Sequence, residues 1–195
     1  MHPLTDTLWP GVLLWVALYT SDYWCTLTCA RMYRGGVQHV VAFEGSYELT
    51  PYYQKDVDAL RWMSPRFVVA LVASVSVLVA LWSVSRQEAA SAYAFGLGAL
   101  VLVEAAVHVR HVRNLYIFKR ILAHDGVSGR IEYARSFALG LSGLELLGFA
   151  FAYLAAWLAE PNAFLAGGVV GCLSLGAQHM LRARGGTRSA GVAPQ

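Results

Sequence analysis

Between Phe67 and Val84 the chain runs for 18 residues without a charged side chain. A helix that is apolar on every side has no solvated face, and 18 or more such residues are long enough to cross a bilayer. This stretch constrains the fold more than any other feature, and it is not isolated. Leu8 to Ala30, Ala89 to Val109, Ser136 to Ala159 and Ala163 to Leu181 read as four further spans, each with few ionisable residues. Composition agrees: 57% of residues are hydrophobic and 14% charged, against about 25% charged in ordinary soluble domains.

The expected fold is therefore all-α, an integral membrane bundle of five transmembrane helices. Residues 1–184 form a single transmembrane domain, and 185–195, rich in Gly, Ser and Ala, read as a disordered tail. The N-terminus lacks the basic region of a secretory signal, so the first apolar segment reads as a retained span. Cys25, Cys29 and Cys172 all fall inside spans and read as buried free thiols. No Lys/Arg-rich aromatic surface of the kind that binds nucleic acid is present.

Arg31 to Pro65 is the one long segment that does not cross. It opens on a Gly35-Gly36 break, and Gln38 to Phe43 is apolar but too short to span. Thr50-Pro51 looks like a helix start, with Thr50 as cap. Tyr52 to Met63 reads as an amphipathic surface helix, with Tyr53, Val57, Leu60 and Trp62 apolar and Lys55, Asp56, Asp58 and Arg61 solvated. Ser64-Pro65 begins the next helix.

With five spans, fourteen of the fifteen Lys and Arg residues fall on one side and only Arg86 on the other. The positive-inside rule then places the N-terminus outside and the C-terminus in the cytoplasm, in a prokaryotic plasma membrane.

The chemistry concentrates in Leu100 to Leu122. Glu104, His108 and His111 sit at i, i+4 and i+7, on one helical face, and from Arg110 the helix turns basic. Asp22 lies at a similar depth in the first span, above Thr26 and Cys29 on its own polar face. Glu145 is near the middle of the fourth span, and His179 is near the inner end of the fifth. Ionisable groups inside a membrane mark a functional site by default. Asp22, Glu104, Glu145, His108 and His111 are the candidate polar intramembrane site. Glu104, His108, His111 and His179 are a candidate metal set, and a transition metal or haem stays open as cofactor. Pairing of these groups with Arg110, Arg113 and one another, purely to lock the bundle, is an equally good account. Glu44 and Glu48 lie in the loop EGSYELTPYY, which is placed to fold back over the inner mouth.

Asp22-x-x-x-Thr26 on the first span, followed by Glu48-Leu49-Thr50-Pro51, resembles a pattern of uncharacterised small polytopic prokaryotic membrane proteins, which carry an Asp-x-x-x-Thr helix and then a Glu-x-Asn-Pro loop. The likeness covers the first third of the chain, and Thr50 stands where the pattern has Asn. It implies a membrane location and no established activity.

The expected function is transport or permeation of an ion or small solute. A metal- or haem-dependent membrane enzyme and a non-catalytic subunit of a membrane complex are the alternatives. Beyond the lipid bilayer, the partner expected is a second copy, through the small face Gly167, Gly171, Ser174 and Gln178 of the fifth span, or a membrane complex.

Overall fold

The computed structural model describes residues 4–85 and 91–189. The expected connection at Arg86–Glu88 lies outside the described residues. The elements in chain order are α1 (Leu8–Arg34), a 3₁₀ turn (Val37–His39), β1 (Val41–Phe43), α2 (Gln54–Asp58), α3 (Pro65–Ser85), α4 (Ala92–Leu122), β2 (Ile131–Tyr133), α5 (Arg135–Ala159) and α6 (Ala163–Ser189). The fold is all-α apart from one two-stranded ladder. Among the described residues four helices, α3, α4, α5 and α6, are long and apolar enough to cross a membrane. Their outer faces carry exposed apolar residues such as Val69, Val72, Leu144, Phe151 and Leu158, as helices bathed in lipid do. α1 is long enough, at 27 residues, but Ser21, Asp22, three threonines and several Trp and Tyr residues interrupt its apolar sequence.

α4 is the central helix, packed against α1 and α3 on one side and α6 on the other. α1 runs parallel to it, from Val12 and Trp15 against Tyr93, Leu97 and Val101 to Cys29 against Phe118 and Ile121. α5 and α6 close the other side through Leu146, Ala150 and Cys172 against Ala106. At 31 residues α4 is about 46 Å long, well beyond a hydrocarbon core of about 30 Å. Its basic C-terminal turns therefore reach the end of the bundle where the long loops gather.

The close approach of α4 and α6 depends on glycine. A Cβ on Gly98 would collide with the Phe164 carbonyl, and one on Gly167 with the Phe95 carbonyl. Gly171 likewise faces Ala99 of α4. Gly167 and Gly171 of the small face are thus occupied by α4 inside the protomer, while Ser174 and Gln178 of the same face stay exposed.

The segment between α1 and α3 differs from its sequence pattern in two ways. The amphipathic helix expected over Tyr52–Met63 shrinks to Gln54–Asp58, and the chain leaves it through Leu60 at φ 50°. Thr50 does not cap it; its carbonyl instead closes the turn to the Tyr53 N–H at 3.0 Å. Asp56, expected in solvent, is 3% exposed. Its carboxylate accepts from Ser64 Oγ at 2.5 Å and pairs with Arg61 at 3.1 Å and Arg66 at 3.7 Å. Ser64 in turn accepts from the Arg66 N–H at 3.1 Å, so it caps α3 ahead of Pro65 as expected. Asp56 is buried because it holds that cap in place.

The parallel ladder, Val41 opposite Ile131 through Phe43 opposite Tyr133, was not legible from either segment. It ties the α1–α3 loop to the α4–α5 loop at the basic end of the bundle. At the C-terminus α6 stays helical through 189, past the tail boundary expected at 184; the rest of that tail lies outside the described residues.

Candidate functional site

Each polar group enters the bundle on a helix whose remaining faces are apolar. On α1, Ser21, Asp22 and Thr26 face α4. On α4, one heptad brings Glu104, His108 and His111 to the same side. The two stripes meet. His111 Nε2 lies 2.6 Å from an Asp22 carboxylate oxygen and 3.4 Å from Thr26 Oγ1. His108 Nε2 lies 2.7 Å from Ser21 Oγ, while its Nδ1 is 2.7 Å from the Glu104 backbone carbonyl. Both nitrogens of His108 are thereby used between α1 and α4.

A second set lies between α4, α5 and α6. Arg110 Nε donates to Glu145 at 2.9 Å, and Arg113 donates to the other oxygen of the same carboxylate. His179 Nδ1 is 2.8 Å from Ser142 Oγ. These pairings match the bundle-locking account of the sequence for Glu145.

The loop after β1 adds a further wall. Tyr47, Glu48, Thr50 and Tyr53 fold under the helices, and the Tyr53 hydroxyl meets the Tyr19 hydroxyl of α1 at 2.5 Å. Glu48 Oε1 accepts from the Thr50 N–H at 2.7 Å, and burial raises its carboxyl above the ordinary value despite that bond. Glu44 plays a different part. It is exposed, and its carboxylate accepts from the Arg135 N–H at 3.0 Å, capping the start of α5. Arg135 also donates to the Leu49 carbonyl at 3.0 Å, pinning the loop from its other end.

Together these elements surround a cavity of about 570 Å³. Asp22, Glu104, Glu145, His111, His179 and Glu48 all line it. His108 and Glu44 do not. Glu104 is the exception among the acids, because its Oε2 is buried and has no hydrogen-bond partner among the described residues; the same holds for His111 Nδ1.

The candidate metal set is not assembled. Among the described residues no three His, Cys, Asp or Glu groups are placed to hold a metal ion. His108 and His179 are engaged with Ser21 and Ser142.

The chain matches no protein-family model, and no similar curated protein or solved structure was found.

Tyr19, Tyr53, Ser21 and Ser142 are the site residues that sequence reading missed. A lone hydroxyl in an apolar helix, as at Tyr19, Ser21 and Ser142, carries no signal of its own, and Tyr53 read as part of the apolar side of the surface helix. Ser21, adjoining Asp22, was the one that its position could have flagged.

Proposed function

We propose that this membrane protein crosses the bilayer five times, with α1 as the additional span, and holds a small polar solute in the cavity on its way across. The observation that carries the reading is the cavity itself, a partly open space lined by four carboxylates, two guanidiniums and two imidazoles among apolar helices. Charged groups at such depth are costly in a membrane unless they face protein or water. A volume of about 570 Å³ lies in the range that small organic ligands fill, far above the roughly 30 Å³ of one water.

Two features support five spans. α1 lies beside α4 along most of its length, and the β1–β2 ladder sets the two basic loops at one end. The positive-inside rule, applied to those basic loops, favours an outside N-terminus and a cytoplasmic C-terminus, in what we read as a prokaryotic plasma membrane.

Proteoliposomes test the reading. Uptake of methylamine, tetramethylammonium, rubidium, acetate and glycerol would be compared between wild type, Glu104→Gln and empty vesicles. At least one probe should enter faster with wild type, and Glu104→Gln should lose that advantage. Equal uptake of every probe in all three preparations overturns it.

A further inference from the structure

The cavity's lining also says what kind of solute it takes, granted that the cavity is the solute site. We infer that the ligand is a small organic cation, a protonated amine carrying an apolar or aromatic body.

The first ground is charge. The cavity is lined by Asp22, Glu48, Glu104 and Glu145 but only by Arg110 and Arg113 as permanent cations. This acidic excess stands out in a chain whose formal net charge is +3. Both guanidiniums donate to one of those acids, Glu145, so the other three acids face a single uncompensated positive charge.

The second ground is hydrogen bonding. Buried polar atoms are nearly always satisfied, and an exception calls for an explanation. Two exceptions belong to residues that line this cavity, Glu104 Oε2 and His111 Nδ1. With a cation beside it to hold it ionised, the Glu104 carboxyl only accepts. His111 directs Nε2 to the Asp22 carboxylate, which places the ring proton on Nε2 and leaves Nδ1 as an acceptor in the neutral ring. Both unmet atoms therefore require donors, and an ammonium group supplies up to three.

The third ground is the aromatic wall. Phe67 stacks on Tyr19 with ring centroids 5.2 Å apart and on Tyr23 at 4.7 Å, and all three rings line the cavity with Tyr53. Such a wall accepts the apolar or aromatic remainder of the molecule.

The test uses the detergent-purified full chain and three probes that share a ring and differ at the other end: 2-phenylethylamine, 3-phenylpropionate and 2-phenylethanol. By calorimetric titration the amine should bind at least tenfold tighter than the other two. Glu104→Gln should weaken the amine by about ten- to a hundredfold, the range for losing a charged hydrogen bond, and leave the alcohol unchanged. Glu104→Asp should keep the amine first. No binding, a preference for the carboxylate, or an amine preference unaltered in Glu104→Gln would overturn the inference. If Glu104→Gln fails to fold, the wild-type order and Glu104→Asp decide it. Amine binding without vesicle uptake leaves this inference standing and sinks only the permeation reading; uptake confined to anions does the reverse.

Discussion

Asp22 and His111, 89 residues apart in the chain, meet at 2.6 Å and join α1 to α4 in the middle of the bundle. His111 is 7% exposed, so the contact is screened from solvent and its removal leaves a buried imidazole short of a partner.

A double-mutant cycle measures that link. Asp22→Asn and His111→Gln, singly and together, should give a coupling of about 0.5–3 kcal/mol in reversible detergent unfolding, the usual range for residues in one hydrogen-bonded network. A coupling within error of zero would mean that the two helices are held without this pair.

The two arginines on Glu145 should differ. The Arg110 side chain is 18% exposed and the Arg113 side chain 52%. An exposed ion pair contributes about 0–1 kcal/mol, whereas a sheltered one is costly to break from one side. Arg110→Gln should therefore lower the unfolding midpoint clearly more than Arg113→Gln. The reverse order would show that Arg113 carries the contact.

The α4–α6 seam predicts opposite outcomes for one type of substitution. Gly98→Ala and Gly167→Ala introduce methyl groups against a neighbouring backbone carbonyl, while Gly140→Ala and Gly148→Ala on α5 meet nothing within 4 Å. The first two should destabilise by about 1–3 kcal/mol through overpacking. The α5 pair should be neutral or stabilising, since alanine outranks glycine in a helix by up to about 1 kcal/mol. Thermal melts in detergent separate the two pairs.

Glu48 gives a pH dependence with a definite sign. Burial raises its carboxyl in the folded protein above the ordinary value of 4.5. The folded state therefore holds the proton more tightly than the unfolded chain, and this group favours folding most at low pH. Its contribution falls as pH rises from about the ordinary value through the raised one. Stability of wild type relative to Glu48→Gln should decline across that window by no more than about 1.4 kcal/mol per pH unit. A wild-type curve parallel to that of Glu48→Gln would contradict the burial of the charge.

The membrane helices, their order and the polar stripe on α4 were legible because each is local. Four apolar runs became α3, α4, α5 and α6. Periodicity alone put Glu104, His108 and His111 on one face, and Asp22 and Glu145 stood out as ionisable residues inside apolar spans. Ser64-Pro65 marked the start of α3 because a cap is a matter of neighbouring residues. The fold-back of EGSYELTPYY was also expected, though only Glu48 of its two acids reached the cavity.

Tertiary structure decided the partners. Local sequence contains nothing that assigns His111 to Asp22 and His108 to Ser21, since both histidines lie within reach of the same helix face. The parallel ladder required two three-residue segments 90 residues apart, each too short to declare itself as a strand. Asp56 looked solvated because its neighbours are charged, and it is buried because Ser64, Arg61 and Arg66 return to it from α3 and its approach. Gly167 and Gly171 gave a small face with no stated partner in the sequence, and the packing set both against α4. A chain's own periodicity sets which atoms share a face, whereas what covers that face depends on distant segments whose positions are fixed by the bundle as a whole.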